Sequence, residues 1–117
     1  HDHNQLQRIV QAGDVKDGDL ILEIGPGLGP LTSLLLGHAK RVLAVEKDPR
    51  LVTFLRKKFE KEANLELVHA DALEYLRAPH DWTNWKMISN LPYSVGSPIL
   101  VDLANTAKPP ERMTVTL

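Results

Sequence analysis

The sequence predicts an α/β protein, a parallel sheet flanked by helices, and three observations carry that prediction. Apolar runs of strand length at Leu20–Ile24, Arg41–Glu46 and Leu65–His69 alternate with segments whose apolar residues recur at helical spacing. Such alternation makes consecutive strands parallel and joins them by right-handed crossovers. A glycine-rich segment, Gly25-Pro26-Gly27-Leu28-Gly29, follows the first run directly. The polar residues with chemical potential all fall just after strands, at the sheet edge where open parallel sheets bind ligands.

The elements follow in order. Residues 4–12 place Leu6, Ile9 and Val10 on one helical face, and Gly13 ends that helix. Residues 15–19 form a turn, and Leu20–Ile24 is the first strand. Pro30 suits the first turn of a helix whose inward face is Leu31, Leu34 and Leu35 and whose terminator is Gly37. Arg41–Glu46 is the second strand. Asp48-Pro49 is an N-cap followed by proline at the first helical position, opening a helix with the stripe Leu51, Val52, Leu55 and Phe59. Arg56, Lys57, Lys58 and Lys61 gather toward its C-terminal end, where the helix dipole favours cations. Leu65–His69 is the third strand, followed by a helical turn over residues 71–76. Residues 78–85 are a loop in which Trp82 and Trp85 pack together, and residues 86–89 are the fourth strand. It runs into Asn90-Leu91-Pro92-Tyr93. A helix over residues 98–104 turns Ile99, Leu100 and Leu103 inward, Lys108-Pro109-Pro110 breaks it, and residues 113–117 begin a fifth strand.

The 117 residues suit one domain, 43% hydrophobic and with a net charge of -1. That charge lacks the basic excess of a typical nucleic-acid-binding domain. A grip on RNA would therefore come from local patches or from protein outside these residues. The absence of cysteine excludes disulfides, thiolate metal sites and thiol nucleophiles, and is compatible with the cytoplasm. No apolar run approaches the roughly 20 residues that span a bilayer, so no membrane association is expected. His1 and His3 lack further ligands, and His38, His69 and His80 show no ligand spacing, so no metal site is expected either.

Four segments carry chemistry. Gly25, Gly27 and Gly29 allow positive φ and a close backbone approach by a ligand, and the following helix N-terminus can receive an anionic group. The spacing is G-x-G-x-G. A dinucleotide fingerprint would need its third glycine at Pro30, which weakens a nicotinamide-enzyme reading. Glu46, 21 positions after Gly25, ends the second strand, where a carboxylate can accept both hydrogen bonds of a ribose diol. Asp71 suits a helix N-cap and could also accept from an adenine amine. In Asn90-Leu91-Pro92-Tyr93, the Asn90 amide and a nearby carbonyl could accept the N–H bonds of a planar amine, and Tyr93 offers a face for an extracted base. A turn with an aromatic plug accounts for that tetrapeptide equally well when it is taken alone.

Together these segments resemble the ribosomal RNA adenine dimethyltransferase family over the whole of residues 1–117. Leu22-Glu23-Ile24-Gly25-Pro26-Gly27-Leu28-Gly29-Pro30-Leu31-Thr32 looks like that family's first cofactor motif. Val45-Glu46-Lys47-Asp48 resembles its ribose-binding segment, and His69-Ala70-Asp71-Ala72-Leu73 its adenine-contacting one. Asn90-Leu91-Pro92-Tyr93 with Ser97-Pro98-Ile99-Leu100 looks like its target-base motif. The resemblance implies a Rossmann-like class I methyltransferase fold, truncated here after the fifth strand, and S-adenosyl-L-methionine as cofactor. Glu23, Gly25, Gly27, Gly29, Glu46, Lys47, Asp71, Ala72 and Asn90 would bind the cofactor. Asn90, Leu91, Pro92 and Tyr93 would hold the target adenine. The implied reaction is N6,N6-dimethylation of adenine in small-subunit (16S-type) ribosomal RNA during ribosome biogenesis, without a metal.

The family also has a Gln-Asn-Phe-Leu segment before the position of His1, and strands and a helical domain beyond Leu117. The resemblance therefore implies a fragment, inactive alone, whose fifth strand exposes a sheet edge open to self-association. The alternatives are a macrolide-resistance type of large-subunit rRNA methyltransferase and a non-catalytic cofactor-binding relative. Leu91 and the Ser-Pro-Ile-Leu segment favour the small-subunit branch.

Overall fold

A computed structural model describes residues 3–91, 93–106 and 108–116, with backbone alone for 93–95, 97 and 116. The chain runs α1 (His3–Ala12), β1 (Leu20–Ile24), α2 (Pro30–His38), β2 (Arg41–Glu46), α3 (Pro49–Lys58), β3 (Leu65–His69), α4 (Ala72–Arg77), β4 (Trp85–Asn90), α5 (Tyr93–Ala104) and β5 (Arg112–Thr116). All strand pairs are parallel, in the order β3-β2-β1-β4-β5. The chain lays β2 and β3 to one side of β1, then returns to lay β4 and β5 on the other. The order reverses between β1 and β4, and helices change face there.

Alternation along the strands divides the core. Ile21, Val42 and Ile88 pack with Leu6, Ile9 and Val10 of α1 and with Leu31 and Leu35 of α2. Leu22, Ile24, Leu43, Val45 and Met87 face the other way, against Leu76 of α4 and against Ile99 and Leu103 of α5. Trp82 is buried in this second layer, 5.4 Å from Trp85 in an edge-to-face contact, so the two pack together as expected, although Trp85 begins β4 rather than closing the loop.

At the switch point the sheet opens. β1 and β4 pair from Leu20 with Trp85 to Leu22 with Met87. Beyond that pair the Ile24 N–H donates instead to the Ser89 hydroxyl, at 2.7 Å, so a side chain continues the ladder. The strands thus part toward their C-terminal ends, leaving the crevice in which open α/β sheets hold ligands.

α1, β4 and β5 each start one residue earlier than the sequence reading, β4 also runs on to Asn90, and α4 is shifted by one residue to Ala72–Arg77. Three helices depart from it in other ways. α2 passes Gly37 and ends at His38, with the extended Ala39 donating back to Leu35 O at 2.8 Å. Glycine is tolerated near a helix end, and here the turn into β2 sets the stop. α3 ends at Lys58, so Phe59 caps it and Lys61 lies beyond. α5 begins at Tyr93 rather than residue 98 and carries Pro98 inside. An internal proline costs about 3 kcal/mol, whereas burying Ile99 and Leu103 contributes about 1.5–3 kcal/mol each. Burial outweighs the lost backbone bond.

Candidate functional site

The glycine segment is a loop because its backbone demands it. Gly25, Gly27 and Gly29 have φ of +65°, +62° and +88°, a region that side-chain-bearing residues rarely adopt. At Gly29 space is also short, since a Cβ would lie 2.7 Å from the Phe59 ring. Gly29 caps α2 without a side chain, and Pro30 follows at its first turn. Among the described residues no side chain caps the positive end of that helix, where an anionic group is favoured.

Glu46 ties the loop to the next strand. Its Oε1 accepts from the Gly27 N–H at 3.2 Å and its Oε2 from the Asp48 N–H at 3.0 Å. The residue is 7% exposed. Each oxygen keeps lone-pair capacity, so the carboxylate is held in place with acceptors to spare. Parallel register sets Ile24 beside Val45 and Glu46 beside His69, which brings three strand ends level.

Around these ends lies a cleft of about 340 Å³, within the range of small-molecule sites. Gly25, Glu46, Lys47, Asp71, Ala72 and Leu91, all expected as site residues, line it. So do Ile24, Val45, Ala70, Leu73, Pro98 and Ile99, apolar residues that motif reading passed over. They give the cleft apolar walls. Asp71 serves as the α4 N-cap through Oδ1, which accepts from the Glu74 N–H at 3.2 Å. Among the described residues nothing hydrogen-bonds its Oδ2, so the cap and ligand roles fit on one side chain. The Lys47 carbonyl accepts from His69 Nε2 at 3.1 Å, fixing the loop after β2.

A smaller pocket under the glycine loop, about 90 Å³, brings together Glu23, Gly25, Gly27, Leu28 and Asn90. Gly25 borders both cavities. Glu23 is 2% exposed on the α1/α2 side of β1 and accepts from the Thr32 hydroxyl at 2.5 Å. Burial pushes its carboxyl up to about 8, against the Thr32 bond, which favours the anion, and with a further push from Glu46. Thr32 and Ser89 are contributors that the sequence reading did not single out. Asn90, half-buried, ends β4. Pro92 lies outside the described residues, as does the side chain of Tyr93, whose backbone starts α5.

The Glu23 carboxyl makes stability depend on pH. A group raised from 4.5 to about 8 on folding binds its proton more tightly in the folded chain. Its contribution is complete below pH 4.5 and is lost as the pH rises toward 8. Relative to a Glu23→Gln variant, the wild type should lose stability across that window at up to about 1.4 kcal/mol per pH unit. Melting temperatures of both proteins across the window measure this, and parallel curves would rule it out.

Among the described residues no helix is long and apolar enough to cross a membrane, and no group of three or more His, Asp or Glu is placed to hold a metal.

The family model described as "Ribosomal RNA adenine dimethylase" matches residues 1–117. A protein of Methanopyrus kandleri named "Probable ribosomal RNA small subunit methyltransferase A" is 44% identical over 102 residues, covering 87% of this chain and 36% of its own length. The "Ribosomal RNA small subunit methyltransferase A" of Geobacter metallireducens is 42% identical over 103 residues, covering 85% of this chain and 38% of its own. The chain thus spans little more than a third of these relatives. Among solved structures, the 23S rRNA methyltransferase ErmE superposes with a TM-score of 0.83 at 30% identity, over 100% of this chain and 47% of that one. A dimethyladenosine transferase from Plasmodium falciparum gives 0.79 at 30% identity, over 96% of this chain and 40% of that one.

Proposed function

Because the chain belongs to the ribosomal RNA adenine dimethylase family, we propose that residues 1–117 form the S-adenosylmethionine-binding domain of an enzyme that dimethylates N6 of adenine in small-subunit rRNA. The observation that carries this reading is the Glu46 carboxylate, held by two backbone N–H groups at the mouth of the switch-point cleft. Asn90 stands on the far side of the same glycine loop. A cytoplasmic location and the ribosomal subunit as partner belong to the same reading.

The residues divide the work by position. Glu46 accepts the ribose hydroxyls, and Asp71 Oδ2 with the Ala72 backbone accepts and donates at the adenine edge. The apolar cleft walls enclose the adenine ring. The loop glycines and the first turn of α2 receive the methionine end, above Glu23. When bound, the cofactor supplies a methyl group already activated by a sulfonium. Asn90, which also borders the pocket under the glycine loop, would accept an N–H bond of the target amine and aim its nitrogen at the methyl carbon, with Leu91 and Pro92 backbone groups and the Tyr93 ring holding the base. Rate enhancement comes from proximity and orientation. The Tyr93 and Pro92 roles rest on the family motif.

The test is calorimetric titration of the chain with S-adenosylmethionine and, separately, NAD. Saturable binding of S-adenosylmethionine alone is expected. Preferential binding of NAD would overturn the assignment. The likeness to ErmE gives a second reading, a large-subunit rRNA substrate. Methylation of isolated small-subunit rather than large-subunit rRNA by the complete enzyme separates the two.

A further inference from the structure

The glycine loop also faces outward, onto α3. Leu28, at the tip of the loop, is 56% exposed, and Phe54 of α3 is 44% exposed. Lys58 joins them. Its Nζ donates to the Leu28 carbonyl at 2.8 Å and lies 5.8 Å from the Phe54 ring centroid and 5.3 Å from that of Phe59. Phe54 and Lys58 stand four residues apart on the helix and Lys57 three from Phe54, so all three share a face.

The charge there is local. Residues 47–62 hold six cations and three anions, in a chain whose net charge is -1. One of the anions, Asp48, is paired with Arg50 at 3.3 Å. Among the described residues Arg56, Lys57 and Lys61 form no ion pair. An exposed ring beside unpaired cations is the combination that holds single-stranded nucleic acid, the ring taking a base and the cations the phosphates. The patch is also continuous with the site, because Leu28 lines the same pocket as Asn90.

We propose that Leu28, Phe54, Lys57 and Lys58 form a docking surface for the single-stranded RNA flanking the target adenine. A neighbouring base packs on Phe54 and Leu28, and its phosphates meet Lys57 and Lys58. The bond from Lys58 to the Leu28 carbonyl then couples RNA docking to the shape of the glycine loop. This surface rests on the rRNA methyltransferase reading.

The test is fluorescence anisotropy of a labelled single-stranded oligoadenylate with the chain saturated in S-adenosylmethionine. Phe54→Ala combined with Lys57→Glu should weaken RNA binding about tenfold or more. It should also flatten the dependence of log Kd on log salt by about 0.7 for each phosphate that is no longer neutralised. Cofactor affinity should stay at the wild-type value, and Phe54→Tyr, which keeps a ring, should retain most of the binding. Unchanged RNA affinity and salt slope in the double variant would overturn the surface and leave this face to a protein partner. A wild-type chain that binds S-adenosylmethionine but not RNA would overturn it as well. One that binds NAD instead removes the functional reading on which it rests.

Discussion

Replacing Glu46 with alanine is expected to abolish measurable S-adenosylmethionine binding while leaving a folded chain. Two ribose hydroxyls would each lose a charge-assisted hydrogen bond, worth about 1.5–3 kcal/mol apiece. That alone lowers affinity by about 10²–10⁴. The same carboxylate also holds the Gly27 and Asp48 N–H groups, so its removal frees the glycine loop as well. Losing these bonds should cost about 1–3 kcal/mol of stability, seen as a lower melting temperature with an unchanged circular dichroism spectrum. Glu46→Gln is the informative intermediate. Its amide oxygen can accept from one backbone N–H, but its NH₂ then confronts the other, so affinity should fall between wild type and alanine. Calorimetry on the three proteins reads the order directly. An alanine variant binding within about threefold of wild type would remove Glu46 from the site.

Asn90→Ala should have the opposite signature, cofactor binding kept and catalysis lost. Asn90 ends β4 and borders the same small pocket as Gly25 and Gly27, and in the proposed reading its amide meets the incoming amine rather than the ribose or adenine. Alanine removes the acceptor that orients the nitrogen. Losing one such preorganised polar group costs about 10²–10³ in rate, and imprecise placement of the amine adds to that. In the complete enzyme, transfer of labelled methyl groups to small-subunit rRNA should fall by at least that factor, while the dissociation constant for S-adenosylmethionine stays within a few-fold. Full activity would refute the role of Asn90. Parallel loss of cofactor binding would make it a cofactor ligand alone.

Much of this site is legible along the chain because its signals are short. Asp48-Pro49 announces a capped helix, and the structure has that helix, with the Asp48 side chain accepting from the Arg50 N–H at 2.9 Å. Positive φ at Gly25, Gly27 and Gly29 is a local requirement that glycine alone meets cheaply. The β2 limits follow from an apolar run, buried from Val42 onward, of the kind a parallel, doubly covered sheet requires, whereas β3 lies at the sheet edge with Leu65, Leu67 and Val68 only half-buried. Pro98 misleads for the converse reason. As a local signal it starts a helix, but the burial of Ile99 and Leu103 carries α5 through it.

What the sequence determined by itself was the fold class, the order of its elements and the identity of the loops that end the strands. Backbone preference and apolar periodicity act over a few residues, and a few residues are enough to display them. Only the tertiary structure decided which of those loops meet. Lys86 reads as part of an apolar strand, yet it is buried with its ammonium on Asp19 at 2.8 Å and on the Asp14 carbonyl at 2.7 Å, partners 67 and 72 residues away. Ser89 reaches Ile24 across 65 residues, and Glu23 finds Thr32 through the crossover into α2. Such contacts exist because the strand order places β4 beside β1. That order is fixed by the joint burial of two helical layers, a property that no short stretch of the chain contains.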